Sequence, residues 1–171
     1  MTIKTAITEA TKNVMGALSA NAENPTDVLD TLKEEHDEVQ ELLSKLVESD
    51  SSRERKSLLT KIKVALVPHT RAEEKVVYDA VLALKRRDAE IDGNEGYVEH
   101  SLADATLKQL FKLEANTPAF AATAKVLKEL VDHHIEEEER NIWAQVKRNF
   151  SGDQRQQMNR DFLAAKKKVR V

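Results

Sequence analysis

Cysteine is absent from the 171 residues, which excludes disulfides, zinc fingers, thiolate-held clusters and cysteine nucleophiles together. Turn-forming residues are scarce, and four glycines with three prolines are too few for the tight turns of a β-sandwich or barrel. No apolar run exceeds a few residues, so no stretch is built to span a bilayer. Lys4, Glu9 and Lys12 fall where an export signal needs unbroken apolar sequence. The glycines stand at 16, 93, 96 and 152 and form no phosphate-cradling loop, which excludes P-loop phosphoryl transfer. No Ser/His/Asp nucleophilic arrangement stands out. Neither sign of charge dominates, and a net charge of −3 gives no general attraction to nucleic acid or anionic lipid. The Lys166–Lys168 and Arg170 run has no interleaved aromatics to stack on bases. These absences point to a cytoplasmic helical protein in which nitrogen and oxygen donors must hold any metal.

Charged residues make up 33% of the chain and apolar residues 40%, the balance of long solvent-facing helices around a modest core. Residues 1–24 carry an amphipathic helical extension with Ile3, Ile7, Val14 and Leu18 near the helical period. Thr26 or Asp27 can cap a first long helix with Val28, Leu29, Leu32, His36, Val39, Leu43, Leu46 and Val47 on one stripe. A second is expected from about Arg53 to Arg87, kinked or restarted at Pro68, which removes one ladder bond. Asp92-Gly93-Asn94-Glu95-Gly96 reads as the clearest loop of the chain. A third helix is expected over about Tyr97 to Ala115 with Leu102, Leu107, Leu110 and Phe111 inward. A fourth, opened by Asn116-Thr117-Pro118, is expected to reach Phe150 with Phe120, Val126, Leu127, Leu130, Val131, His134, Glu138, Ile142 and Val146 on its stripe. Ser151-Gly152-Asp153 breaks it, and a short terminal helix with a basic tail completes 151–171. The expected architecture is all-α: an antiparallel up-down-up-down four-helix bundle over 25–150 with short helical extensions at each end.

Four of the five histidines fall one per long helix, at His36, His69, His100 and His134. Each lies on or beside an apolar stripe, facing the bundle interior. Buried imidazoles need partners for both nitrogens, and four converging imidazoles can hardly supply one another. A metal ion resolves this, and neutral imidazole suits Fe, Zn, Cu or Ni. Glu73 follows His69 by four residues and Glu138 follows His134 by four, which places each pair on one helical face. Two such carboxylates can bridge two ions. Asp104 follows His100 at the same spacing and is a further candidate ligand. His133 with Glu137 repeats the spacing of His134 with Glu138, but aligns less well with Leu127, Val131 and Ile142. Helix-length arithmetic puts His36 level with His69 and His100 level with His134. Across the second turn the levels disagree, so either the second helix ends early or 88–96 doubles back. Tyr78 and Trp143 read as core residues.

In combination, Glu34-Glu35-His36-Asp37-Glu38-Val39, His69-Thr-Arg-Ala-Glu73-Glu-Lys-Val-Val-Tyr78, Glu99-His100 and His134-Ile-Glu-Glu-Glu138-Glu resemble the hemerythrin-like HHE cation-binding domain over about 27–150. The resemblance implies a non-haem di-iron centre: His36 and His69 on one iron, His100 and His134 on the other, Glu73 and Glu138 bridging. Glu139 is the alternative bridge, because some members place that carboxylate one residue later. Oxygen-carrying members have a fifth histidine where this chain has Asp104. The resemblance therefore implies O2 or peroxide chemistry in oxidative-stress, redox or iron handling, with peroxide decomposition as a possible activity. The alternative is a metal- or O2-dependent sensory module without turnover. Neither reading needs a nucleic acid or membrane partner.

Overall fold

A computed structural model describes residues 26–171; the helical extension expected at 1–24 lies outside the described residues. The helices are α1 (Val28–Glu48), α2 (Ser52–Glu73), a π-helical turn (Glu74–Tyr78), α3 (Asp79–Leu82), α4 (Arg87–Leu110), α5 (Pro118–Arg140), α6 (Ile142–Asn149) and α7 (Gly152–Lys166). Four long rods result, because the π turn and α3 continue α2, and α6 continues α5 after Asn141. They pack as a four-helix bundle, and α7 lies along α1 and α2.

Short polar side chains set the helix starts. Asp27 accepts a hydrogen bond from the Leu29 amide at 3.0 Å, and Ser51 accepts from Glu54 at 3.3 Å. Thr117 does the same for Phe120 at 3.2 Å, with Pro118 in the first turn. Ser151 and Gln154 form a reciprocal capping box for α7. Each cap satisfies an otherwise unpaired amide and is worth about 1 kcal/mol.

The second connection departs from the expectation. The chain turns at Ala83–Arg86, where Lys85 takes a left-handed φ of 52°. Asp92–Gly96 is not a loop but lies inside α4, which begins about ten residues before Tyr97. The two glycines serve close packing there. A Cβ on Gly96 would sit 2.5 Å from Tyr78 Cε2, and one on Gly93 would sit 2.9 Å from Leu82 Cδ2. With the turn at 83–86, His69 lies about 14 residues before it and His100 about 14 after. The two are thus level, roughly 21 Å down their helices at 1.5 Å per residue.

Other boundaries shift less. Pro68 does not restart the helix, since α2 continues through it to Glu73 and α-helical geometry gives way only in the π turn. The longer α4 turns Leu107 and Leu110 inward, whereas Leu102 and Phe111 are about half exposed. Leu102 is two residues from buried His100, about 200° around the helix. Val126 is likewise outward, because Phe120, Ala124, Leu127 and Val131 define the buried stripe of α5.

The buried apolar residues form two clusters. One holds Leu43, Leu46, Ile62, Leu66, Leu107 and Leu127; the other holds Leu32, Val77, Tyr78, Trp143, Val146 and Phe162. The four interior histidines lie between them along every rod.

Gly96→Ala and Gly152→Ala separate helix propensity from packing. Alanine gains up to about 1 kcal/mol over glycine inside a helix, and nothing lies within 4 Å of a Cβ on Gly152. Denaturant unfolding should show Gly152→Ala neutral or slightly stabilised. Gly96→Ala should lose about 1–3 kcal/mol because the Tyr78 ring must move.

Candidate metal centre

Six side chains meet in the polar layer between the two cores. His36, His69, Glu73, His100, His134 and Glu138 are all buried. His36 comes from α1, His69 and Glu73 from one face of α2, His100 from α4, and His134 and Glu138 from one face of α5. Donor atoms of His36, His69 and Glu73 lie within 4.8 Å of one another, as do those of Glu73, His100 and His134. Glu73 Oε2 is 3.4 Å from His69 Nε2 and 3.5 Å from His100 Nε2. Glu138 Oε2 is 3.4 Å from His134 Nε2 and 3.5 Å from His36 Nε2. Each carboxylate therefore spans both histidine pairs.

The opposite ring nitrogens are all engaged. Nδ1 of His69 donates to Glu35 at 3.0 Å, that of His100 to Glu74 at 3.1 Å, that of His134 to Glu99 at 2.7 Å and that of His36 to Glu139 at 3.0 Å. The bonds close a ring around the bundle, with α1 serving α2, the π turn serving α4, α4 serving α5 and α5 serving α1. A proton fixed on Nδ1 leaves each Nε2 as a lone pair aimed inward, the tautomer a metal requires.

Inside this ring the polar atoms lack ordinary partners. His36 Nε2 and both oxygens of Glu73 and of Glu138 have no hydrogen-bond partner. His100 Nε2 and His134 Nε2 face each other at 3.0 Å; with both Nδ1 atoms protonated, one cation must lie between them. Without a metal that cation is a proton. Burial opposes charge on His134, but the Glu138 carboxylate 3.4 Å away and the Glu99 hydrogen bond push it up to about 10. Burial likewise opposes charge on His69, yet the Glu73 charge and the Glu35 bond push it up to about 9. Glu73 stays well below the usual carboxylate range, because the His69 charge and the adjacent His100 imidazole outweigh burial. Glu138 is pushed up, by burial first and then by the Glu73 charge. Buried lone pairs and carboxylates with no donors fit divalent cations of nitrogen and oxygen preference.

The structure does not bring Asp104 into this group; its carboxylate pairs with Arg71, which also bonds Glu74 at 2.6 Å. Glu139 serves His36 Nδ1, and His133 is exposed on the outer face. Tyr78 and Trp143, read from the sequence as core residues, are buried against the site, whereas Phe162 and Lys166 were not singled out as its neighbours. Tyr78 stacks on His100 with its hydroxyl 3.4 Å from Nε2. Trp143 stacks on His36 at 5.8 Å. Phe162 of α7 meets His69 edge-on at 5.9 Å, and Lys166 Nζ is 2.6 Å from Glu35. The acceptors Glu35, Glu74, Glu99 and Glu139 did leave a signal, since each is adjacent in sequence to one of the six central residues.

Two outcomes follow. His69 and His134 titrate above the ordinary 6.5. In the metal-free protein they therefore contribute stability that is full below about pH 6.5 and lost as pH rises through about 9 to 10. Metal bound at these imidazoles would replace those protons, so a pH indicator in weakly buffered solution near pH 7 should record release of about two protons per chain on metal uptake. Affinity should rise with pH. Separately, Glu139→Ala should weaken metal affinity about 10- to 100-fold while preserving stoichiometry, whereas Glu138→Ala should reduce the number of ions bound; equilibrium dialysis distinguishes them.

Comparison with known proteins agrees with this geometry. The Hemerythrin HHE cation-binding domain family matches residues 27–146. A Nostoc sp. protein named DNA nickase is 28% identical over 143 residues, covering 84% of this chain, and the chain spans 40% of that relative's length. The crystal structure of a Hemerythrin HHE cation-binding domain-containing protein from Mycobacterium kansasii superposes with a TM-score of 0.71 at 21% identity, covering 83% of this chain and 86% of that one. The described residues contain no helix long and apolar enough to cross a membrane. With the family matched over residues 27–146, most of the described chain, this chain belongs to the hemerythrin HHE cation-binding domain family.

Proposed function

We propose that this is a non-haem di-iron protein that binds or reacts with O2 or peroxide in oxidative-stress, redox or iron handling. On this reading His36 and His69 would hold one iron and His100 and His134 the other, with Glu73 and Glu138 as the carboxylates that would be shared between them. The reading rests above all on the unpartnered His36 Nε2 and the unpartnered oxygens of Glu73 and Glu138, enclosed by a ring of Nδ1 hydrogen bonds. Bound iron would supply redox equivalents and open coordination positions for a small ligand.

The chain's own contribution is to shape and dry that space. Val39, Leu66, Ala103, Val131 and Ile135 line a small apolar cavity against the histidine rings, which suits a neutral diatomic or peroxide better than an anion. Tyr78 remains a neutral phenol, because burial and then the surrounding glutamate charges raise it far above its ordinary value. It therefore offers a hydroxyl donor beside His100. Arg71 holds Asp104 away from the centre, leaving four imidazoles and two carboxylates for two ions and hence positions free for an incoming ligand.

A second reading, a metal- or O2-dependent sensory module without turnover, is favoured by the Nostoc relative, where the similar region is part of a longer chain. The nickase name is that relative's own, and the net charge of −3 gives DNA no general attraction.

Iron-reconstituted protein should show a bridged ferric absorption spectrum that changes when peroxide is added, and should consume peroxide. His69→Ala and Glu73→Ala should abolish both. Inertness to peroxide, with an oxidation-dependent change of partner or oligomeric state, would establish the sensory reading instead. A stoichiometric zinc ion without redox response would contradict both.

A further inference from the structure

Beside the centre, a narrow cleft of about 10 Å³, room for about one water, lies between α4 and the α5–α6 rod and is closed on one side by Tyr78. Its lining includes Asp92, Glu95, Glu99 and Glu137, with His134 and Glu138 on the inside. Asp88, Asp92, Glu95 and Glu99 recur at intervals of four, three and four residues, which aligns them on one face of α4, leading towards the centre. Like charges at this spacing repel and destabilise a helix by a few tenths of a kcal/mol per pair. Only the first turn, at Asp88, gains from the helix dipole in return. Gln145 crosses from α6 and donates to both Asp88 and Asp92 at 3.2 Å, holding the first two carboxylates on this side. Arg140 pairs with Glu137 at the rim, which leaves the lining net negative.

The row ends on a group that seeks a cation. Glu138 is 2% exposed and neither of its oxygens has a hydrogen-bond partner. Glu99, the last carboxylate of the α4 row, bonds His134 Nδ1 at 2.7 Å, so the acidic stripe ends in direct contact with the centre. Other grooves lack this continuity. The groove at Arg71 and Lys108 meets a cation at its Asp104 end, and the one between the π turn and α7 carries Lys75 and Lys168.

We infer that the cleft is a loading port for divalent cations: carboxylates on α4 attract a metal ion, replace its water and pass it to Glu138 and His134. This rests on the reading that the centre binds metal, and it adds a transit site for the ion outside the ligand set. Field lines focused in such a cleft raise cation on-rates by about 10- to 1,000-fold. Because the effect is kinetic, removing the outer carboxylates slows loading without changing the final content.

The test uses Co2+ uptake by the metal-free full chain. It is followed by visible absorption and by fluorescence of Trp143, the chain's single tryptophan, which stacks on His36. Asp92→Asn/Glu95→Gln should load about tenfold more slowly than the parent chain at low ionic strength. The difference should shrink as salt is raised towards 0.15 M, where the screening length is about 8 Å. Co2+ content at equilibrium should be unchanged. Thermal stability should hold or rise, since repulsion along α4 is relieved. Glu48→Gln/Glu114→Gln removes the same formal charge at the opposite end of the bundle and should load within twofold of the parent. Equal rates for the two double variants would overturn the port. Failure of every chain, the parent included, to take up Co2+ would overturn the metal-binding reading on which it rests.

Discussion

The structure turns on the electrostatic cost of its central layer. Two glutamates and four imidazoles are removed from water, and His36 Nε2 and the four oxygens of Glu73 and Glu138 have no hydrogen-bond partner to offset the loss. Leaving one buried charge uncompensated costs roughly 3–5 kcal/mol, and a whole domain is stable by only about 5–15 kcal/mol. A sequence that inserts such a layer between two apolar cores needs positive charge there. Protons can supply part of it, which is why His69 and His134 titrate so high. Metal ions at the proposed positions would supply it with fixed geometry and would join four helices in doing so.

Surrounding features keep that layer in place. The Nδ1 ring sets the tautomer and direction of every imidazole, and each of its bonds crosses from one rod to the next. It therefore acts both as a set of orienting contacts and as a belt around the bundle. Lys166 extends one member outward by pairing with Glu35, and Phe162 closes the space over His69. The helix that follows the bundle thus contributes to the surroundings of the His36/His69 pair, while the His100/His134 pair lies beside Tyr78 and the acidic cleft. The two halves of the centre are chemically unequal for that reason.

Much of this was legible in the sequence because helical periodicity and one-histidine-per-helix spacing are local signals. The bundle, the inward histidines and the i,i+4 pairs His69–Glu73 and His134–Glu138 needed no tertiary information. The second connection was misread because glycine has two uses. Gly93 and Gly96 look like turn residues, but they let Leu82 and Tyr78 pack against α4. The real turn uses Lys85 at positive φ, which composition does not flag. Leu102, Phe111 and Val126 were assigned inward because hydrophobicity alone does not fix a helix's rotation about its axis. The Nδ1 acceptors were obscured by acidic runs such as Glu136–Glu139, in which neighbouring residues differ by 100° in direction. Only the packed helices show that Glu138 turns inward while Glu139 reaches His36.

The central claim, that this layer is built around a pair of ions, is tested most directly by anomalous diffraction at the iron edge from crystals of the reconstituted protein. The account requires two iron peaks about 3.5–4 Å apart, on the Nε2 side of the imidazoles and between Glu73 and Glu138. A single peak, or iron bound elsewhere while the Nε2 atoms pair with protein groups, would contradict it.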